Sequence, residues 1–204
     1  MPVQPYYEQD GITIYHGDCR EIMPCLVDVD VVITDPPYGI NFAGRPTKWQ
    51  RLAGAMPCDW DAIPFEAIDT ILNAAEYVCL WGANYYAHQL PVSRGWLTWI
   101  KPGAPPSMGS VELAWTNLDR NAAHIIHSIS ATNAERVGHP TQKPLRVMRW
   151  CVDRMPQGLI LDPFMGSGTT LRAAKDLGRK AIGIEIEERY CEIAAKRMAQ
   201  GVLL

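Results

Sequence analysis

Short apolar runs alternate along this chain with stretches in which apolar residues recur at helical spacing. This alternation is typical of an α/β fold built on a mostly parallel sheet. The pattern predicts strands at Gly11–Tyr15, Val29–Thr34, Tyr77–Trp81, Trp96–Ile100, Gly158–Leu161 and Ala181–Glu185. It predicts helices at Arg20–Leu26, Phe65–Ala75, Pro144–Met155, Gly168–Leu177 and Glu187–Met198. Two more strands, Glu112–Thr116 and His124–His127, are expected to form an antiparallel edge.

Two stretches interrupt the alternation. Asn41–Asp61 contains Gly, Pro, basic and aromatic residues without a clear period, and loops of that length are usually functional or mobile. Pro102–Ser110 is a loop by composition. The chain has neither an internal repeat nor a linker, and its 204 residues, 48% of them hydrophobic, can bury a sizeable core. We therefore expect a single domain over residues 1–204.

Composition narrows the cellular setting. No apolar run approaches the roughly 18 residues of a membrane-spanning helix, so no membrane association is expected. The six cysteines form no Cys-x-x-Cys pair, which favours reduced cysteines in an intracellular protein over a disulfide framework or a metal site. The net charge of −3 does not by itself indicate a polyanionic partner.

Basic residues are nevertheless clustered along the chain. Arg45, Lys48 and Arg51 are interleaved with a tryptophan in the first loop. Arg136 begins a segment, residues 136–154, with five basic residues and one acid. Such clusters suit contact with nucleic-acid phosphates, and a solvated charged face is the alternative interpretation.

The most informative segment follows the second predicted strand. Asp35 stands where that strand ends, two prolines then prevent its extension, and Tyr38 follows them. An acid, fixed carbonyl groups and a flat ring at one strand end form a suitable receptor for a planar heterocycle that carries an amino group. A strand that simply ends in a Pro-Pro turn is the alternative.

A second segment, Leu159–Thr170, has the order strand, glycine-rich turn and helix, by which α/β folds bind nucleotide-like ligands. Gly166 and Gly168 allow the backbone to approach a ligand closely, and Ser167 or Thr169 is a candidate cap for the helix. The turn is neither Gly-x-Gly-x-x-Gly nor a P-loop, and a turn that merely packs strand on helix is the alternative.

Acids recur at the ends of the predicted strands. Glu185 ends a strand 23 residues after Asp162, and an acid about 20 residues beyond the glycine turn is the usual partner of ribose hydroxyls. Asp18, within the sequence His-Gly-Asp-Cys, can accept from an adenine amino group or cap the next helix. Since these acids and Asp35 all follow predicted parallel strands, we expect them to line one ligand crevice.

A further segment precedes the helix that is predicted to begin at Pro144, a natural first helical residue. Its sequence is His-Pro-Thr-Gln-Lys, residues 139–143. Thr141 and Lys143 in it are candidates for holding a carboxylate.

Together these segments resemble the DNA amino-methyltransferases, which use S-adenosylmethionine to methylate adenine N6 or cytosine N4. Residues 35–38 match their catalytic motif, and residues 162–168 match their cofactor motif. Glu185 matches their ribose acid, and residues 139–143 resemble the segment that helps to bind the methionine part of the cofactor. The catalytic motif precedes the glycine motif, which is the circularly permuted order of the family's beta subgroup. The resemblance spans about residues 12–198 and implies a Rossmann-like S-adenosylmethionine-dependent methyltransferase fold.

The resemblance also implies roles for these residues. Asp35 and the carbonyl of Pro36 accept the two amino hydrogens of the target base, and Tyr38 stacks on that base after it has flipped out of the duplex. Positioning and electrostatics carry such a transfer, so no metal is expected. The implied catalytic residues are Asp35, Pro36, Pro37 and Tyr38. The implied cofactor residues are Asp18, Cys19, Asp35, Thr141, Lys143, Asp162, Pro163, Phe164, Gly166, Ser167, Gly168, Thr169, Glu185 and Ile186. The expected DNA contacts are Arg45, Lys48, Arg51 and Arg136.

One feature departs from the family. Members with tight sequence specificity carry a sizeable target-recognition segment before the His-Pro-Thr-Gln-Lys sequence, whereas only about Asn117–Gly138 is available here. We therefore expect a short target, relaxed specificity, or recognition shared across a homodimer. Asp at the first motif position favours adenine over cytosine. The resemblance implies double-stranded DNA as the partner and a bacterial or phage-encoded enzyme that acts on DNA in the cytoplasm.

Other functions stay open at this point. Methylation of cytosine N4 or of an RNA base is the nearest alternative. A non-catalytic nucleic-acid-binding relative is disfavoured by the intact Asp-Pro-Pro-Tyr and glycine motifs. A dinucleotide-dependent oxidoreductase is disfavoured because the third glycine is missing and Asp-Pro-Phe precedes the turn.

Overall fold

A computed structural model describes residues 3–41, 51, 62, 64–105 and 108–201 of the chain. Within these residues one nine-stranded sheet has the strand order β1-β2-β9-β8-β3-β4-β6-β5-β7. The strands are β1 (Tyr7–Gln9), β2 (Ile12–His16), β3 (Val31–Thr34), β4 (Tyr77–Trp81), β5 (Trp96–Ile100), β6 (Val111–Thr116), β7 (Ala123–Ile126), β8 (Ile160–Asp162) and β9 (Ala181–Glu185).

The centre of the sheet is parallel, as the alternation of strands and helices predicts. β2, β9, β8, β3 and β4 are paired in parallel, whereas β1 pairs with β2 and β6 pairs with β4 and β5 in the antiparallel sense. The expected antiparallel edge is confirmed for β6, and the edges differ from expectation in two details. The short strand β1 was not predicted, and β7 runs parallel to β5 instead of contributing to an antiparallel edge.

The direction of β7 follows from the path of the chain. Because β6 is antiparallel to β5, it ends beside the start of β5. The connection that begins at Asn117 is anchored there, since the Asn117 side chain accepts from the Val78 N–H at 2.9 Å and donates to the Glu76 carbonyl at 2.7 Å. The chain then enters β7 from the same end as β5, with Ala123 opposite Leu97. β7 therefore runs parallel to β5.

The predicted helices are found close to their predicted positions, and all but the last are shorter than predicted. The helices are α1 (Cys19–Ile22), α2 (Ile68–Leu72), α3 (Ile129–Ala134), α4 (Leu145–Arg154), α5 (Thr169–Asp176) and α6 (Glu188–Ala199). The first predicted helix is divided into α1 and a 3-10 turn at Met23–Cys25, which contains a proline. α3 was not predicted; it lies in the segment 117–138, which also contains β7.

Hydrophobic side chains pack on both faces of the sheet. Alternate residues of a strand point to opposite faces, and in β3 Val31 and Ile33 belong to one buried cluster while Val32 belongs to the other. α4, α5 and α6 contribute to the first cluster, and α1 and α2 contribute to the second. The central strands are thus buried on both faces, as parallel strands usually are. In the part of the chain that the structure describes, none of the helices combines the length and the apolar character that crossing a membrane requires.

This architecture brings the ends of the central strands to one edge of the sheet. Asp162 and Glu185 are the last residues of β8 and β9, and Asp35 directly follows β3. Asp18 lies two residues beyond β2, whose last residue is opposite Glu185. The carboxyl ends of the strands in an open α/β sheet form its ligand crevice.

Candidate active site

Two cavities open at this edge and meet at Asp35. The first has a volume of about 300 Å³ and is called here the glycine-turn cavity. The second has a volume of about 220 Å³ and is called here the tyrosine cavity. Both are lined by Asp35, Pro37, Thr141, Gln142 and Lys143.

Most of the residues that the sequence predicts for a cofactor line the glycine-turn cavity. They are Asp18, Cys19, Asp35, Thr141, Lys143, Asp162, Pro163, Phe164, Gly166, Ser167, Thr169, Glu185 and Ile186. Gly168 does not line the cavity. It adopts a φ of +75°, and a Cβ atom there would lie 2.8 Å from the Cβ of Ala194, so this glycine serves the packing of α5 against α6.

Asp162 organises the turn that follows β8. Its carboxylate accepts from the Thr34 hydroxyl at 2.8 Å and from the Phe164 N–H at 3.2 Å. The side chain is almost fully buried, and burial raises its pKa to about 6 despite these hydrogen bonds. The Phe164 ring meets the Phe65 ring edge-on, with 4.9 Å between centroids, and forms an apolar wall of the cavity.

Glu185 connects two backbone segments. One carboxylate oxygen accepts from the Gly166 N–H at 2.9 Å and the other accepts from the Glu187 N–H at 2.8 Å. Burial raises the pKa of this carboxyl to about 7. Each oxygen keeps a second lone pair, so the carboxylate can still accept from two vicinal hydroxyls.

The glycine turn is tight at Gly166. Its φ is +50°, and a Cβ atom there would lie 2.8 Å from Nε2 of His139. The expected side-chain cap of the following helix was wrong: the N-cap is Gly168, which has no side chain to offer. Ser167 and Thr169 instead face Arg197, which donates to the Ser167 carbonyl at 2.6 Å and to the Thr169 hydroxyl at 3.2 Å.

Asp18 is the N-cap of α1 and accepts from the Arg20 N–H at 2.9 Å. It also pairs with the Arg20 guanidinium, and this hydrogen bond holds the pKa of Asp18 below its usual value. Both interpretations of this residue are thus compatible, since the capping carboxylate also lines the glycine-turn cavity. The neighbouring Cys19 thiol is buried, and burial raises its pKa to about 11.

Asp35 is engaged on both carboxylate oxygens. The Tyr38 hydroxyl donates to Oδ1, and the Lys143 ammonium donates to Oδ2. Burial raises the pKa of Asp35, and the Lys143 charge opposes that shift. Its position at the junction makes Asp35 the one acid that belongs to both cavities, among those that the sequence predicts.

The wall of the tyrosine cavity is aromatic. The rings of Tyr38 and Tyr85 are stacked, with 4.8 Å between centroids and an interplanar angle of 16°. Tyr85 is 45% exposed, whereas Tyr86 is buried and its hydroxyl donates to the Pro37 carbonyl. A Cβ atom on Gly82, whose φ is +69°, would lie 1.9 Å from the Tyr38 ring. The lack of a side chain at Gly82, directly after β4, therefore allows the Tyr38 ring to pack against the backbone.

A chain of ion pairs lines the same cavity and was not predicted from the sequence. Lys101 donates to Oε1 of Glu112 at 2.9 Å, and Oε2 of Glu112 lies 3.2 Å from the Lys143 ammonium. Lys143 continues the chain to Asp35. Burial lowers the pKa of Lys143, but Asp35 and Glu112 outweigh it and raise that pKa to about 12.

The segment that contains Lys143 is held from within the protein. The buried His139 ring packs on Tyr190 with 4.4 Å between centroids, and burial lowers its pKa to about 3, so this imidazole is neutral. Arg136 donates to the carbonyls of His139 and Pro140 at 3.3 and 2.8 Å. These hydrogen bonds hold the segment in place. The expected contact of Arg136 with DNA stays a prediction.

Of the other three residues that are expected to contact DNA, the structure describes one. Arg45 and Lys48 lie outside the described residues, and Arg51 is exposed. Within the described ranges, no group of three or more His, Cys, Asp or Glu side chains is arranged to hold a metal ion.

The glycine-turn cavity fits a nucleoside that carries a positively charged tail. Glu185 offers acceptor sites for ribose hydroxyls, and Phe164 and the exposed Ile186 offer apolar contact to a flat base. Asp162 and Asp35 provide negative potential near a cation, and Lys143 is available to a carboxylate. Such a site at the strand ends of this sheet defines an α/β enzyme that uses a nucleoside cofactor.

The chain belongs to the N6/N4 DNA methylase family, whose family model matches residues 81–196. It is 26% identical to the type II methyltransferase M2.LlaDCHI of Lactococcus lactis subsp. cremoris, in an alignment that covers 98% of this chain and 94% of that protein. It is equally similar to the type II methyltransferase M2.MboI of Moraxella bovis, at 26% identity with 97% and 92% coverage.

Solved structures agree with this assignment. The complex of M1.HpyAVI with S-adenosylmethionine is 28% identical, with a TM-score of 0.63 over 93% of this chain and 100% of that chain. The PvuII methyltransferase, which is cytosine-N4-specific, superposes with a TM-score of 0.67 at 17% identity over 98% of this chain and 91% of that chain. The latter similarity concerns the fold alone. The predicted Rossmann-like methyltransferase fold is thus confirmed, and the protein is a DNA methyltransferase with S-adenosylmethionine as its cofactor.

Proposed function

We propose that this protein methylates N6 of adenine in double-stranded DNA. The observation that carries the proposal is the position of Asp35, whose carboxylate faces both the glycine-turn cavity and the tyrosine cavity. A methyl donor in the first cavity and an amino group in the second would meet at this residue. The Asp at the first position of the catalytic motif supports adenine over cytosine.

Bound S-adenosylmethionine supplies an electrophilic methyl group on its sulfonium. Glu185 holds the ribose, Phe164 and Ile186 flank the adenine ring of the cofactor, and Asp18 accepts from its amino group. Thr141 and Lys143 lie at the junction of the cavities, where they hold the carboxylate end of the cofactor. Asp162, Pro163, Gly166, Ser167, Gly168 and Thr169 form the turn that shapes the cavity, and Cys19 and Asp35 line it from other strand ends.

The target base enters the tyrosine cavity. Tyr38 and Tyr85 already stack on each other, so a flat base can replace one ring as the stacking partner of the other. Asp35 accepts one amino hydrogen and the Pro36 carbonyl accepts the other. These bonds draw the nitrogen lone pair out of conjugation and direct it at the methyl group, so the rate enhancement comes from positioning and local electrostatics.

The relatives support a setting for this activity. The two curated relatives are named type II methyltransferases, which supports a modification enzyme that acts on cytoplasmic DNA with a specific or relaxed target. Arg45, Lys48, Arg51 and Arg136 are the proposed phosphate contacts. The segment 117–138 contributes to target recognition, alone or together with the second copy in a homodimer.

The decisive experiment is methyl transfer from labelled S-adenosylmethionine to unmethylated bacterial duplex DNA, followed by mass spectrometry of the nucleosides. The proposal expects N6-methyladenine. N4-methylcytosine in its place would refute the adenine target while retaining the amino-transfer geometry. Label in RNA with none in DNA would refute the DNA substrate.

A further inference from the structure

In the resting state the carboxylate of Asp35 is shared between two donors of the protein. Both oxygens of Asp35 are engaged, one by the Tyr38 hydroxyl and the other by the Lys143 ammonium. Each oxygen keeps a second lone pair, but a carboxylate whose charge is shared with an ammonium is a weaker acceptor for a neutral amino group, so Asp35 accepts best when Lys143 has moved away from it. Tyr38 is half-buried, whereas the Lys143 side chain is only 9% exposed.

A displaced Lys143 needs another anion. A buried ammonium without a partner is strongly disfavoured, because it has lost its hydration and gains no charge to replace it. Glu112 is that anion, since its Oε2 already lies 3.2 Å from the Lys143 ammonium. The faces of the Tyr38 and Trp81 rings are each 5.8 Å from the same ammonium and favour a cation at this point.

Glu112 is held in place by a second cation, Lys101. Its other oxygen accepts from Lys101 at 2.9 Å, and the Lys101 side chain is 4% exposed and lies over the Trp99 ring. β5 pairs with β6 so that Trp99 is opposite Glu112. This register fixes Glu112 relative to Lys101, which directly follows β5. Two cations and two anions thus alternate along the chain from Lys101 to Asp35, so a shift of Lys143 leaves the group neutral.

We propose that Glu112 is a positioning residue, which takes over the Lys143 ammonium when the target amino group reaches Asp35 and so frees that carboxylate. The inference rests on the proposed function, because it assumes an amino group in the tyrosine cavity. Other charges also face this pair: Arg136 acts on Glu112, and Asp162 acts on Asp35. Neither lies within the chain of ion pairs.

The test is the substitution Glu112→Gln, which keeps the shape of the side chain and removes its charge. Among the side chains of the protein, Lys143 then has only Asp35 as its anion, so the single-turnover rate of methyl transfer to DNA should fall about 10- to 100-fold. The dissociation constant for S-adenosylmethionine should change much less than the rate, because Glu112 does not line the glycine-turn cavity and can reach the cofactor only through Lys143. Glu112→Asp retains the charge and should recover part of the rate. Glu192→Gln removes an exposed carboxylate from α6 and serves as the matched control with the unaltered rate.

A pH profile separates positioning from a structural effect. The Glu112 charge raises the pKa of Asp35, so its loss should move the acid limb of the rate profile to lower pH. A structural defect would lower the rate at every pH and leave the limb in place, which would overturn the inference. A full rate in Glu112→Gln would also overturn it and would leave the proposed function intact. Wild-type protein that labels no DNA would overturn the proposed function and the inference with it.

Discussion

The two cavities that meet at Asp35 are built in different ways. In the glycine-turn cavity the acids are held by short-range contacts with the backbone: Glu185 accepts from the Gly166 and Glu187 N–H groups, and Asp162 accepts from the Phe164 N–H. In the tyrosine cavity the charged groups are held by one another, through the ion pairs of Lys143 and its neighbours.

This difference separates a preformed cavity from one that must rearrange. Backbone N–H groups at strand ends cannot leave without disturbing the sheet, so the glycine-turn cavity is organised before its ligand arrives. Side-chain ion pairs and a stacked tyrosine pair can exchange partners through rotamer changes alone. We therefore expect substitutions in the first cavity to alter cofactor affinity and substitutions in the second to alter the rate of transfer.

The strongest test acts on Asp35, the acid that the two cavities share. Asp35→Ala removes the acceptor of an amino hydrogen and should lower the rate of transfer at saturating cofactor by about 10²- to 10³-fold or more, the effect of losing one preorganised hydrogen-bond partner in a transition state. Cofactor affinity should survive, because Glu185 and the glycine turn are unchanged. Single-turnover kinetics and calorimetric titration with S-adenosylmethionine measure the two quantities.

An isosteric variant sharpens this result. Asp35→Asn keeps the volume but presents an amide that cannot pair with Lys143 as a carboxylate does. It should be nearly as inactive as Asp35→Ala. Substantial activity in either variant would show that the amino group is held elsewhere and that the assignment of Asp35 is wrong.

The second prediction concerns the glycine-turn cavity alone. Glu185→Gln replaces an acceptor of two backbone N–H groups and of the ribose hydroxyls, and should weaken S-adenosylmethionine binding about 10-fold or more. The rate at saturating cofactor should stay within a few-fold of the wild type. Glu192→Gln is the control, since that exposed carboxylate on α6 pairs with Lys196 and lines neither cavity. An unchanged cofactor affinity would contradict the role of Glu185.

The raised pKa of Glu185 adds a pH signature. Burial raises this pKa to about 7, and hydroxyl donors bind best to the ionised carboxylate. Cofactor affinity should therefore increase as the pH rises through about 7 and weaken below it, by at most about tenfold per pH unit. In Glu185→Gln this dependence should disappear. Calorimetric titrations with S-adenosylmethionine at several pH values below and above 7 measure this dependence.

The contrast between the cavities also determines what the sequence can predict. Glu185 and Asp162 end strands, and their spacing around the glycine turn is a local property that can be recognised along the chain. Glu112 lies within a strand, and its partner Lys101 directly follows the neighbouring strand, β5. Their contact depends on the register of β5 with β6, which no local pattern specifies.

The edge of the sheet was unpredictable for a related reason. The apolar pattern predicts a strand near His124 but not the partner or the direction of that strand. The direction depends on where the preceding connection is anchored, and the Asn117 hydrogen bonds that anchor it lie on β4 and the residue before it. The sequence pattern does not predict α3 either, since the helix from Ile129 to Ala134 is only six residues long and has few apolar positions.

A third prediction tests whether the tyrosine wall is set by close packing. Gly82→Ala places a methyl group against the Tyr38 ring and should lower the rate of transfer about 10-fold, because misplacement by about 1 Å is costly at a reacting centre. Cofactor affinity should be unchanged. Gly178→Ala is a matched control, since its φ of +68° imposes the same backbone strain but open space surrounds the new methyl group. Equal losses of rate in the two variants would attribute the effect to strain and not to Tyr38.

The smallest effect is expected outside both cavities, where the protein meets the DNA backbone. Arg51→Ala should weaken DNA binding only a few-fold and reduce the slope of log affinity against log salt by about 1, as the loss of one phosphate contact does. The rate at saturating DNA and the cofactor affinity should both be retained. Lys196→Ala is the control, because that exposed ammonium already pairs with Glu192 on α6. If log affinity falls with log salt as steeply in Arg51→Ala as in the wild type, Arg51 does not contact the DNA phosphates.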